Sequence, residues 1–268
     1  MAGQRIRYEN TETYLVSFLG GASGSFIVTL IYYLLTSAKY DVSFSENASA
    51  FQALKETNLN TTAIDPNDGY TPTYVAVEPV YWHMKPTKLD EPYLIRDHLY
   101  PNWEDLFDLL PLAKNVIITV DPDDSDLIVG NLFYKTFIDN HQMKFWADLW
   151  ETWKNNFSYF REYDTAPSVP QEIITEHILT VASNYKHNID KEFLSGHRIP
   201  EEYANRVYTI SIKEIMNDPD KVLRVLSMMT GKDSNASIKQ SYTNYLLKQK
   251  EFMQEKMPWL VEKYCINI

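Results

Sequence analysis

The longest uncharged run in the chain contains Tyr14 to Leu35, YLVSFLGGASGSFIVTLIYYLL. Tyr14 to Leu19 has the length of a buried parallel strand. Gly20 to Ser25 interrupts the run, and Phe26 to Leu35 resumes as an apolar stretch able to form a helix. Together these read as strand, tight loop and helix. A single membrane span is the alternative, since about 20 apolar residues suffice to cross a bilayer, and Gly20 and Gly24 form a GxxxG pair. The Gly/Ser cluster falls in mid-run, where it weakens a helix and suits a loop. No basic cluster flanks either end to set a topology. The strand–loop–helix reading is therefore preferred.

Behind this unit the pattern alternates. Residues 42–72 are rich in Asn, Thr, Asp and Gly and predict a short helix and a long loop. Tyr74 to Trp82 alternates weakly as a strand bent at Pro79. Tyr93 to His98 predicts a second core strand, Trp103 to Leu110 a helix, and Asn115 to Val120 the cleanest buried strand. That strand stops at Asp121-Pro122-Asp123-Asp124, where Ser125 or Asp126 can cap the next helix. His141 to Phe160 and Gln171 to His187 predict helices, and Arg206 to Ile212 a late strand. Asp218-Pro219 opens a helix that Gly231 closes, and Ser237 to Trp259 predicts one more. Trp146, Trp150 and Trp153 recur at helical spacing, which reads as a packing stripe before a ligand-stacking one.

Strands alternating with helices predict an α/β fold, three-layer α/β/α with a mostly parallel central sheet and extra helices in the C-terminal half. The expected organisation is one domain over 1–268 with a helical insertion at about 138–200. In such sheets, sites form at the C-terminal ends of strands. The loops after Leu19, Arg96 and Val120 are then expected to face one crevice.

Charge narrows the partners. With 25 Lys plus Arg against 36 Asp plus Glu, the net charge of -11 disfavours duplex nucleic acid and anionic membrane surfaces. The one cysteine, Cys265, excludes a disulfide framework and a Cys-based zinc site within one chain. A polar start and no clear cleavage site predict no signal peptide, and hence a cytoplasmic or otherwise intracellular protein. Four Asn-x-Ser/Thr matches, at Asn47, Asn60, Asn156 and Asn235, are then chance occurrences.

Two places can carry chemistry. Glycines in the loop let successive N–H groups converge, and the following helix adds its positive end, which suits a phosphate or sulfate. The GxxxxGK[ST] pattern of nucleotide triphosphatases is absent, and a simple structural turn is an equal reading. Arg96-Asp97-His98 stands at a strand end. His98 there can serve as a general base on a hydroxyl. Arg96, two residues earlier on the same face, can bind an anion. A histidine that is merely hydrogen-bonded at the surface is the plainer account.

The order of these pieces resembles the sulfotransferase family that uses 3′-phosphoadenosine-5′-phosphosulfate. Leu15 to Phe26, with Ser23-Gly24-Ser25, is similar to its strand, Ser-Gly-Thr type loop and helix. Pro92 to Tyr100 is similar to its Pro, apolar strand and Lys-Thr-His-Leu-Pro, with His98 on the base and Arg96 on the lysine. Val116 to Asp124 stands in place of a strand followed by Arg-Asn-Pro-Lys-Asp, and Tyr208 to Gly231 is similar to the late strand, Asp-Pro and helix. The series spans roughly three quarters of the chain. The resemblance implies a P-loop-like fold and sulfuryl transfer to a hydroxyl or amine without a metal. His98 would be catalytic, and Gly21, Ala22, Ser23, Gly24, Ser25, Phe26, Arg96 and Asn131 would hold the donor. The acceptor would be a small molecule or a glycan. In departure from the pattern, Ala22 replaces the loop lysine, and Val120 or Asp121 replaces the arginine that holds the 3′-phosphate. Asn131 is the nearest polar counterpart of the helix serine, and Lys135 or Arg96 is the available substitute cation. Asp121, Asp123 and Asp124 are expected to repel a phosphate beside them, by a few kcal/mol at about 4 Å. A catalytically inactive member of the fold, acting through protein partners, is the alternative. Its candidate partner surface is the aromatic stretch Phe145 to Phe160.

Overall fold

The computed structural model describes residues 12–36, 93–97, 103–139, 144–187 and 199–264. Four strands, β1 (Thr13–Ser17), β2 (Tyr93–Asp97), β3 (Ala113–Thr119) and β4 (Val207–Ser211), form one sheet. All its pairs are parallel, in the order β2-β1-β3-β4. β1 therefore lies between two strands that follow it in the chain. Ser17 is level with Asp97 on one side and Ile117 on the other, so the strands end along one edge. The strand predicted at Tyr74 to Trp82 lies outside the described residues.

Alternation along the strands sorts the core into two layers of side chains. Tyr14 and Val16, with Val116, Ile118 and Ile210, point to the larger cluster. There they meet α1 (Gly24–Thr36), α3 (Ser125–Phe133), α4 (Lys144–Asn156), α5 (Gln171–Lys186), α6 (Ile212–Asn217), α7 (Pro219–Thr230), α8 (Ala236–Lys256) and α9 (Pro258–Val261). Leu15, Ile117 and Val207 point the other way, onto Trp103, Leu106 and Phe107 of α2 (Trp103–Leu109). Strand positions buried on both faces are why β1 and β3 read as near-continuous apolar runs. Helices on both faces make the fold class three-layer α/β/α, with β1, its Gly/Ser loop and α1 following one another at the centre of the sheet. On the smaller cluster's face, Ser17 and Asn115 form a buried polar pair between β1 and β3, the Asn115 amide donating to the Ser17 hydroxyl oxygen at 3.2 Å.

The uncharged run does not form a span. It divides into β1, a turn and the 13-residue α1, and no described helix is long and apolar enough to cross a membrane. Side-chain caps delimit several later helices. Ser211 and Glu214 form a capping box that opens α6, so the predicted strand Arg206 to Ile212 stops at Ser211. Asp218 accepts from the Lys221 N–H at 3.0 Å to start α7, with Pro219 in its first turn. Gly231, at φ 68°, closes that helix. Asn235 accepts from the Ile238 N–H at 2.9 Å to start α8.

The start of α3 differs from expectation. Pro122–Asp124 forms a 3-10 turn that Asp121 caps by accepting from the Asp123 N–H at 2.9 Å. Ser125 does not cap; its hydroxyl is buried and donates to the Ala182 carbonyl of α5 at 3.2 Å. Past Phe133 the helix widens into a π-turn over Tyr134–Asp139. The tryptophan stripe turns inward at Trp150 and Trp153. Trp150 packs on Phe137 and Phe160, and Trp153 on Phe133, Phe137 and Phe157. At Trp150, Trp153 and Phe160 the aromatic stretch is therefore packed into the core, and among its described residues Tyr159 is exposed.

Candidate functional site

The β1–α1 loop sits where the sheet order reverses about β1, the place where open α/β sheets bind ligands. Its turn depends on two left-handed residues, Gly21 at φ 89° and Ser23 at φ 61°. At Gly21 a Cβ would lie 2.3 Å from the Ile128 carbonyl oxygen of α3, so only glycine fits. At Gly24 a Cβ would lie 2.2 Å from the Phe18 ring. The Ala22 N–H donates to the Leu19 carbonyl at 3.0 Å, and its methyl is fully buried. The N–H groups of Phe26 and Ile27 both donate to the Ser23 carbonyl, at 3.0 and 3.2 Å. The first N–H groups of α1 precede these and have no partner within the helix.

Two distant elements close on the loop. From α3, the Asn131 amide donates to the Gly21 carbonyl at 3.2 Å. From α8, Tyr245 donates to the Ser23 hydroxyl oxygen at 2.8 Å, and Gln249 donates to the Asn131 side-chain oxygen at 3.1 Å. The Tyr245 ring lies flat on Phe26, with centroids 3.6 Å apart and planes 8° apart. Burial pushes the Tyr245 hydroxyl up to about 12, against the Ser23 hydrogen bond, so it is a neutral donor at ordinary pH.

The loop residues Gly21, Ala22, Ser23, Gly24, Ser25 and Phe26 thus come together with Asn131. Arg96 lies in β2, adjacent to β1 and level with Val16. His98 lies outside the described residues. Ala22 replaces the expected lysine at a position whose side chain faces the core, where an ammonium group would be desolvated. Nothing in the sequence singles out Tyr245 and Gln249, because they stand on a polar helix over 200 residues after the loop with no motif around them.

At the end of β3 the expected repulsive patch is an ion-pair network. Asp124 is 1% exposed, and Tyr264 donates to it at 2.7 Å. Lys213 and Lys263 approach it at 3.4 and 3.9 Å. Burial pushes the Asp124 carboxyl up, and the Tyr264 hydrogen bond and the two lysines oppose this. Lys263 also bonds Asp126 at 2.9 Å, and Lys186 pairs with Asp123. The lysines come from α5, α6 and the segment after α9, and they balance much of the negative charge read from the sequence. Among the described residues, no group of three or more His, Cys, Asp or Glu side chains is placed to hold a metal ion.

A buried histidine forms a separate cluster. His177 of α5 is 1% exposed and is ringed by Phe133, Trp153, Phe157, Tyr159 and Phe160. The Tyr159 hydroxyl lies 2.6 Å from Nδ1, while Nε2 has no hydrogen-bond partner among the described residues. Burial lowers its pKa to about 4, so the imidazole is neutral.

No family model matches the chain, and no curated protein matches it. Among solved structures, it is similar to the sulfotransferase domain from the Synechococcus PCC 7002 olefin synthase, at 13% identity and a TM-score of 0.35, over 89% of this chain and 80% of that one. It is also similar to retinol dehydratase in a complex with retinol and PAP, at 12% identity and a TM-score of 0.35, over 96% of this chain and 70% of that one. Likeness at this level carries no argument about chemistry.

Proposed function

We propose that the chain is a sulfotransferase-like protein whose β1–α1 loop receives the phosphosulfate end of 3′-phosphoadenosine-5′-phosphosulfate. One observation carries the reading: a left-handed Gly21/Ser23 turn stands between β1 and α1, at the reversal of strand order. Such a turn presents backbone donors and a helix N-terminus to an anion. In the reaction, the bond between sulfur and the bridging phosphate oxygen breaks as sulfur bonds the acceptor oxygen or nitrogen. His98 takes the acceptor's proton, and adenosine 3′,5′-bisphosphate leaves. The acceptor class is a small-molecule or glycan hydroxyl or amine.

The test is a calorimetric titration of the full chain with adenosine 3′,5′-bisphosphate. Saturable binding that weakens with added salt supports the reading. No heat at millimolar ligand removes the donor assignment.

A second reading is favoured by the burial of Ala22 at the lysine's place: a non-catalytic member of the same fold that acts through protein partners. It predicts no sulfuryl transfer to any acceptor in a broad radiolabelled-donor screen, together with a stable assembly in light scattering. Transfer by a monomer that His98→Ala abolishes rules it out.

A further inference from the structure

We infer that Tyr245 and Gln249 of α8 are positioning residues that set the donor geometry of the β1–α1 loop. The inference rests on the anion-binding reading of that loop and adds the element that shapes it. An anion cradle must present hydrogens and turn its acceptor oxygens elsewhere. Two of the loop's acceptor oxygens, the Gly21 carbonyl and the Ser23 hydroxyl, would repel an anion if they were turned toward it. Both are engaged by donors from outside the loop. Asn131 donates to the Gly21 carbonyl at 3.2 Å and is itself held by Gln249 at 3.1 Å. Tyr245 donates to Ser23 at 2.8 Å.

The direction of the second bond has a chemical consequence. A hydroxyl that accepts from Tyr245 keeps its own hydrogen for another acceptor, and chained donors polarise one another. Ser23 is thereby set as a donor. The flat stack of Tyr245 on Phe26 fixes the phenol, so its hydroxyl cannot swing away from the loop without losing that contact. Tyr245 and Gln249 are four apart, so one face of α8 carries both arms. Neutral hydrogen-bond donors thus do at this loop what the expected lysine cannot do from the buried Ala22 position.

The test uses the full chain and two readouts. Hydrogen–deuterium exchange of amides 20–25 is measured for the wild type, Tyr245→Phe and Gln249→Leu. Affinity for adenosine 3′,5′-bisphosphate is measured on the same proteins and again in a Ser23→Ala background. The expected result is about fivefold faster loop exchange in each single variant, the factor for one lost net hydrogen bond. Affinity falls by a similar factor, and Tyr245→Phe has no further effect once Ser23 is alanine. Unchanged loop exchange overturns the inference. So does an equal loss from Tyr245→Phe in both backgrounds, which marks a general packing effect. If no protein binds the bisphosphate while loop exchange still responds, the donor reading falls and the positioning role stands.

Discussion

The ends of β1 and β3 lie side by side in one parallel sheet, yet they are built by opposite means. The β1–α1 loop contains no charge. It is held by neutral donors from Asn131 and Tyr245 and by close backbone packing at Gly21. The β3–α3 turn is dense in carboxylates and is held by lysines and the Tyr264 hydroxyl. The first arrangement leaves the opening N–H groups of α1 without helical partners, as a site for an anion requires. The second uses its polar groups internally around the buried Asp124. The anion-binding candidate is therefore the uncharged end, and the charged end is structural.

The contrast predicts different sensitivities. The largest effect belongs to Gly21. Gly21→Ala combines left-handed strain with a clash against the Ile128 carbonyl, and costs about 4 kcal/mol in urea denaturation. Gly231→Ala has a similarly positive φ but no described atom within 4 Å of the added Cβ, and costs about 1 kcal/mol. Equal costs at the two glycines would break the argument that packing on α3 shapes the loop.

Acid should act on the β3 side first, because α5 supports Ser125 there and carries His177 on its inner face. The folded pKa of His177 lies near 4, below its ordinary 6.5. Between those values the folded state binds fewer protons than the unfolded chain. Its contribution is full above pH 6.5 and is lost as pH falls toward 4, by about 3 kcal/mol. Denaturation midpoints at pH 7 and 4.5 should converge in His177→Phe; an unchanged pH slope in that variant refutes the assignment.

Asp124→Ala leaves the Tyr264 hydroxyl buried without its acceptor and costs about 2 kcal/mol. Its lysine partners are partly solvated, so their loss adds little. The smallest effect is expected from Lys186→Ala, which removes an exposed pair with Asp123 and should leave the thermal midpoint unchanged.

Much of this was legible locally. An uncharged run broken by Gly and Ser marked β1, its turn and α1. Asp218-Pro219 and Gly231 marked both ends of α7. The Ser211-x-x-Glu214 capping box is equally legible, but Val207 to Ile212 carries the strand alternation across it, so the expected strand Arg206 to Ile212 exceeds the observed Val207–Ser211 by one residue at each end. Asp121, Asp123 and Asp124 look repulsive in the sequence because Lys186, Lys213 and Lys263 are scattered along the chain. Only folding brings them to one place.

What the sequence by itself determined is the alternation of strands and helices, the turn after β1 and the helix caps. Each depends on side-chain periodicity or on the conformational limits of a few neighbouring residues. What only the tertiary structure decided is which groups meet at the strand ends. Tyr245 and Ser23 are 222 residues apart, and Tyr264 and Asp124 are 140 apart. Hydrogen bonds over such separations leave no local periodicity, because they arise from how α3, α8 and the C-terminal segment pack against the sheet.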